Sequence, residues 1–282
     1  MTVKKLISVA CTAALATLSA GAQAQISGGV VKIGVLTDLS GTYSDLAGSG
    51  AVLATKMAVE DFIAKEKPNF KIEVVSADHQ NKADIASNKA REWFEREGVD
   101  TATELVTTSV ALAVMKVAKE KERIALMSGP ASTPITNEQC NDVTVHYTYD
   151  TYALANGTAR AVTKQGGRSW FFLTADYAFG QALEKDAAAV VTANGGKVLG
   201  SVRHPFPGSD FSSFLLKAQS SGAQVIGLAN AGADTTNAIK QAAEFGITPT
   251  QSLAGLLMFI TDIHSLGLRT TQGMYQIGRA HV

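Results

Sequence analysis

The chain predicts an α/β protein of two lobes, each a mostly parallel sheet flanked by helices. Three observations carry this. Short apolar or β-branched runs alternate with helical patterns along the whole sequence. The alternation breaks after Cys140 and then restarts. The chain, at 282 residues, is longer than one average domain. Strands separated by helices form parallel sheets, because a parallel partner needs a crossover.

The first strand, 32–36, is Lys32-Ile33-Gly34-Val35-Leu36. It runs into Ser40-Gly41-Thr42-Tyr43 and then a helix over about 51–64. Hydroxyls, a ring and free backbone N–H groups thereby sit at the C-terminal end of a strand, where open α/β sheets bind ligands. Strands follow at 71–77, 102–106 and 124–127, with helices at 83–96 and 110–119. After Cys140, residues 143–147 are extended and 154–164 helical. The crossover between lobes falls near 144–150. Residues 170–174 are a continuous apolar run, the pattern of a strand buried on both faces. Phe179, Leu183, Ala187, Val190 and Val191 recur at helical spacing, and Asn194-Gly195-Gly196 is the stop. Further strands are read at 197–202, 225–228 and 252–256, and helices at 211–219 and 235–245.

The first residues set the compartment. Lys4 and Lys5 precede an apolar stretch over 6–18, and Ala22-Gln23-Ala24 is a small-residue cleavage site. Residues 1–24 therefore read as a signal peptide, with the mature chain starting at Gln25 and working in a Gram-negative periplasm. Twenty-five basic and 25 acidic side chains balance over the whole chain. Losing Lys4 and Lys5 leaves the mature product slightly acidic, which argues against nucleic acid or anionic membrane as a partner. After processing Cys140 is the only cysteine and has no internal partner; a free buried thiol is the expectation.

Catalytic and metal signatures are missing from the sequence. It holds no His-Glu-x-x-His, Cys-x-x-Cys, Gly-x-Ser-x-Gly or phosphate-binding Gly-x4-Gly-Lys-Ser/Thr. Gly48-Ser49-Gly50 lacks the third glycine of a dinucleotide fingerprint and reads as a helix entry. His79, His146, His204 and His264 are scattered without metal-ligand spacing and read as surface or structural residues. No catalytic residue, metal ligand or cofactor is expected.

Over about residues 30–276 the chain resembles the substrate-binding proteins of ABC importers in the branched-chain amino acid group. The resemblance rests on Ile33-Gly34-Val35-Leu36-Thr37-Asp38-Leu39-Ser40-Gly41, Ala77-Asp78-His79-Gln80-Asn81, Thr107-Thr108-Ser109-Val110-Ala111 and Ser128-Gly129-Pro130-Ala131-Ser132. Tyr149-Asp150-Thr151-Tyr152, Asp176-Tyr177-Ala178-Phe179-Gly180 and Gly208-Ser209-Asp210-Phe211-Ser212 follow in the same order. It implies the type I periplasmic-binding fold: two hinged lobes that close on one solute and dock on membrane permease subunits, as a monomer and without chemistry. It also places lobe one at 25–147, lobe two at 148–268 and a second crossover starting at 269–276. The final Ile277-Gly278-Arg279-Ala280-His281-Val282 resembles the translation of a sequencing adapter. That reading makes lobe one incomplete, since family members return chain to it.

In the family, lobe one holds a ligand carboxylate with hydroxyls and N–H groups from two loops. By position these are Thr108 and Ser109, then Ala131 and Ser132. Such donors at a helix N-terminus suit an anion, and helix capping alone also explains the residue types. Pro130 offers no N–H. Lobe two departs from the amino-acid binders. The place of their tyrosine is taken by Phe179, and that of their ammonium-binding acid falls in Gly255-Leu256-Leu257-Met258-Phe259, which is uncharged. A buried ammonium without a carboxylate costs several kcal/mol. The expected ligand is thus a small carboxylate with an apolar or aromatic body, with Tyr43, Tyr149, Tyr177, Phe179 and Phe259 as ring contacts or core, and Asn230 for a second polar group. Asp176 or Asp262 would restore the charge if the alignment slips. A branched-chain amino acid is the alternative ligand; a sensory module of the same fold and, last, an exported α/β hydrolase are the alternative functions.

Overall fold

A computed structural model describes residues 27–275. The leader reading and the adapter reading lie outside the described residues. Among the described residues, nine strands form two sheets, all parallel. The first has the order β2-β1-β3-β4-β5 and the second β7-β6-β8-β9. In the first, β1 is Val30–Thr37, β2 Lys71–Asp78, β3 Thr101–Glu104, β4 Ile124–Met127 and β5 Thr144–His146. In the second, β6 is Ser169–Ala175, β7 Lys197–His204, β8 Val225–Ala229 and β9 Ser252–Gly255. The helices of the first lobe are α1 (Gly48–Glu66), α2 (Ala83–Glu92) and α3 (Thr108–Glu120). Those of the second are α4 (Thr151–Lys164), α5 (Ala178–Ala193), α6 (Ser212–Ser220) and α7 (Gly232–Glu244), then two short turns, α8 (Ile260–Leu266) and α9 (Leu268–Thr271).

Both sheets reverse strand order at their first strand. β1 is flanked by β2 and β3, and β6 by β7 and β8. Each lobe therefore has its topological switch point at the C-terminal end of that strand, in the loop 38–47 after β1 and the loop 176–177 after β6. The two loops face each other.

Most elements follow from the sequence pattern, and the departures have local causes. β3 stops at Glu104, not Val106, because Glu104 and Leu105 take left-handed backbone (φ 79° and 57°), which ends the ladder. The α3 helix begins at Thr108, so Thr108 and Ser109 form its first turn and Thr107 is the N-cap. Asp150 caps α4 by accepting the Ala153 N–H at 2.8 Å. Gly34 in β1 is a close-approach site: a Cβ there would lie 2.5 Å from the Trp93 ring. At the far end, Tyr275 bonds to the free edge of β9: its N–H donates to Leu253 O at 2.9 Å, and its carbonyl accepts the Gly255 N–H at 2.9 Å. The segment read as the second crossover is thus still tied to the lobe-two sheet at Tyr275. Cys140 corrects the expectation of a buried thiol. It is exposed, because it sits in the polar turn Asn137-Glu138-Gln139-Cys140-Asn141 between β4 and β5.

Candidate ligand site

The loop after β1 is held rigid before it meets lobe two. Asp38, fully buried, accepts the N–H groups of Gly41 (2.7 Å) and Tyr43 (2.8 Å) and the side-chain amide of Asn81 (2.5 Å). Asn81 in turn accepts the Thr107 hydroxyl. One network thus ties together the ends of β1, β2 and β3. Thr107 spends its hydroxyl there and does not cap α3, so the first N–H groups of that helix have no side-chain cap.

Lobe two meets this loop at three points. The hydroxyls of Tyr43 and Tyr177, from equivalent loops of the two lobes, are hydrogen-bonded at 2.5 Å. Phe206 stacks on Tyr177 at 4.2 Å between centroids and leans on Tyr43 at 5.4 Å. Ala233 N–H donates to Thr42 O at 3.2 Å. Gly232 makes that approach possible: its φ is +60°, and a Cβ would lie 2.6 Å from Thr42 O. Further along, Thr133 and Thr151 share the Asp186 carboxylate at 3.1 and 2.6 Å. The lobes are closed on one another. Burial pushes both phenols well above their ordinary range, and the Asp234 carboxyl adds to this, so both stay neutral hydrogen-bonding groups.

Between the lobes lies a small pocket of about 20 Å³. It is walled by Tyr43, Val106, Ala131, Tyr149, Tyr177 and Phe179, with Leu46, Gly129, Ala231 and Leu257 completing it. Every wall residue comes from a loop or helix start beyond the C-terminal end of a strand, and none is charged. Of the residues singled out from sequence, the structure brings Tyr43, Ala131, Tyr149, Tyr177 and Phe179 to the pocket wall. Thr108, Ser109 and Ser132 are near neighbours in sequence of wall residues Val106 and Ala131. Thr108 and Ser132 are buried, and neither hydroxyl has a hydrogen-bond partner among the described residues. Ser109 is half-buried in the first turn of α3.

Asn230 is placed elsewhere. It is fully buried, its amide nitrogen 3.1 Å from His204 Nε2 and its oxygen accepting the Thr235 hydroxyl at 2.6 Å. That amide is engaged within lobe two and is not part of the pocket wall. Phe259 packs against the core cluster beside the pocket without forming its wall. Asp176 is at the surface near Arg203, and Asp262 binds the Phe259 N–H at 2.8 Å. Neither is a pocket residue.

Sequence reasoning missed Asp234. It is 1% exposed, in the first turn of α7, three residues beyond wall residue Ala231. Its Oδ1 accepts the Gly208 N–H at 3.1 Å, and its Oδ2 has no hydrogen-bond partner. Burial pushes this carboxyl up to about 7, opposed only by the Gly208 hydrogen bond. An acid in the first turn of a helix ordinarily reads as a partner of the helix dipole. Only the fold of Gly208 and His204 over it reveals its burial.

A two-lobed shell closed over an uncharged pocket at the switch points of both sheets has the architecture of a bilobal solute receptor. The chain belongs to the periplasmic binding protein family, whose model matches residues 30–280. It is similar to a periplasmic binding protein of Burkholderia mallei: 61% identity, 88% of this chain and 66% of that one, TM-score 0.85. A branched-chain amino acid ABC transporter ligand-binding protein of Burkholderia xenovorans is 39% identical over 86% of this chain and 65% of that one, with TM-score 0.70. A Leu/Ile/Val-binding protein homologue of Brucella abortus is 26% identical over 215 residues, 75% of this chain and 53% of that protein. The chain thus spans about half the length of the curated relatives it matches. All three relatives are described as binding proteins.

Proposed function

We propose that this chain is the solute-capturing part of a periplasmic receptor that delivers a small carboxylate, of aromatic or apolar body, to the permease subunits of an ABC importer. The observation that carries the reading is the division of labour around the pocket. Its wall is rings and small apolar groups with no charge. Next in sequence to the lobe-one wall residues Val106 and Ala131 come two buried hydroxyls without hydrogen-bond partners among the described residues, Thr108 and Ser132, and the uncapped N-terminus of α3. Hydroxyls and helix N–H groups suit a carboxylate, and the rings suit a flat apolar body. The receptor works as a monomer in the periplasm after leader removal, without metal or cofactor.

The test is calorimetry with benzoate and with leucine as probes. Benzoate is expected to bind more tightly. Ser109→Ala and Ser132→Ala should each weaken it by about 1–3 kcal/mol, the worth of a charge-assisted hydrogen bond in a closed site. Tight leucine binding with benzoate ignored would overturn the ligand class. Unchanged benzoate affinity with lowered melting temperatures in both variants would make these serines structural.

A further inference from the structure

Asp234 poses a charge problem that the lobe does not solve. Its carboxyl is buried, accepts one backbone N–H, and leaves Oδ2 without a partner. His204 stands close, with Nδ1 3.8 Å from Oδ2. His204 is no cation, and its hydrogen bonds fix its tautomer. Asn230 Oδ1 accepts from Thr235, so the Asn230 amide points its NH₂ at His204 Nε2. Nε2 is therefore an acceptor, and the ring proton sits on Nδ1, which gives it to Pro205 O at 2.9 Å. Burial also pushes the imidazole below its ordinary range.

The other elements packed around Asp234 offer no charge either. The β1 loop presents Tyr43, with Asp38 behind it, and the β6 loop presents Tyr177; both phenols feel the Asp234 carboxyl. The loop after β7 presents the Gly208 N–H. On α7 itself, Thr235 is turned to Asn230. Among the described residues no lysine or arginine forms an ion pair with Asp234. The lobe-one loop closes directly over this helix start, at Gly232 and Ala233, so closure shields Asp234 from water. A second buried acid, Glu104, stands on the lobe-one side against wall residue Gly129, and its carboxyl accepts the Ser128 hydroxyl at 2.6 Å.

We propose that Asp234 sets the charge class of the ligand: the lobes close on an anion only with Asp234 protonated, so each anion bound brings one proton with it from solvent. The inference rests on the carboxylate reading of the pocket. With no ligand present, Asp234 holds the value of about 7 that burial gives it and ionises above that. With the lobes shut, two carboxyl groups share one dry site, and like charges so placed do not both ionise. The ligand carboxylate has hydroxyls and a helix N-terminus to stabilise its charge. Asp234 has a single N–H, so the proton resides on Asp234. An ammonium ligand would reverse the sign, favouring ionised Asp234 and releasing the proton.

The experiment is benzoate calorimetry in paired buffers of different ionisation heat, at about pH 6 and about pH 8.5, on either side of the carboxyl's value. At the higher pH the buffer dependence should show close to one proton taken up per benzoate. The affinity should fall by up to about tenfold per pH unit above about 7. Asp234→Asn should abolish the proton uptake, flatten the pH dependence, and bind benzoate more tightly than the parent at the higher pH. Benzoate bound without proton exchange by the parent overturns this inference and leaves the carboxylate reading standing. Benzoate producing no heat in parent or variant, with leucine bound and lost on Asp234→Asn, overturns both. If Asp234→Asn does not fold, Glu104→Gln should keep the proton uptake of the parent, and loss of the uptake in that variant overturns the assignment to Asp234.

Discussion

The two lobes are built from the same strand–helix alternation and bury it differently. In lobe two the sheet is covered on both faces. Trp170, Phe172, Leu183 and Val191 pack in one cluster, and Leu173, Phe211, Leu215 and Ile239 in another. In lobe one a single cluster, built on Leu36, Trp93, Val114 and Met127, covers one face. On the other, Ile124, Leu126 and Val145 are 49%, 39% and 47% exposed. The helix α1 leaves Leu53, Met57, Phe62 and Ile63 exposed too, and Gly48 is its only buried residue. The lesson is that equal apolar content does not mean equal burial: α1 is as apolar as α3, but its apolar residues are spread round the helix, whereas α3 gathers them on one face and buries seven residues.

The largest expected effect breaks the covered side. Trp170 is fully buried between the β6 sheet and its helices, with its indole N–H on Gly167 O at 2.8 Å. Trp170→Ala should destabilise the protein by about 3–5 kcal/mol, from lost burial plus the cavity left behind. Urea unfolding followed at the β6 and β8 amides by hydrogen exchange is the check. A loss below about 1 kcal/mol would mean that lobe two tolerates an unfilled core as readily as lobe one tolerates a bare face.

The next effect contrasts a buried titrating group in each lobe. His79 in lobe one is fully buried, and burial lowers it to about 4. The native state then holds fewer protons than the unfolded chain between about pH 4 and 6.5, so this group makes stability rise with pH. Asp234 in lobe two is raised to about 7. The native state then holds the extra proton between about pH 4 and 7, so this group makes stability fall as pH rises. Asp234→Asn minus parent should therefore slope upward with pH in that window, and His79→Gln minus parent downward. Each slope approaches one proton, about 1.4 kcal/mol per pH unit. Denaturant midpoints across the window measure it, and slopes of the same sign for both variants would refute the assignment.

The site was less legible than the fold, for physical reasons. Strand–loop–helix order placed Tyr43, Tyr177 and Phe179 beyond strand ends, and a topological switch point needs little more than that order. Asn230 also lies beyond a strand end, yet its amide turns inward. Its direction depends on the tautomer of His204 and the hydroxyl of Thr235, partners that lie 26 and five residues away. Asp234 was hidden for the opposite reason, since a first-turn acid normally needs no explanation. Thr107 precedes a helix in the sequence, yet its hydroxyl reaches Asn81, 26 residues back. Periodicity reports which face an element turns to its neighbours; it carries no information on which side chains a distant loop will meet.

The smallest effect tests the bare face itself. Leu53→Gln, Met57→Gln and Leu126→Gln each replace an apolar side chain that is 59%, 54% or 39% exposed. Little apolar burial is lost at such positions, so each should change stability by less than about 0.5 kcal/mol, while solubility of the chain rises as the apolar patch shrinks. Hydrogen exchange should find β5, a three-residue edge strand with Val145 exposed, opening far more readily than β6. The comparison of lobes fails if any of the three costs more than about 1 kcal/mol, because a penalty of that size requires the side chain to be buried. In that case a dilution series of the parent separates two covers. A penalty that vanishes at low protein concentration points to a second copy of the chain, and one that persists points to cover from within the same molecule.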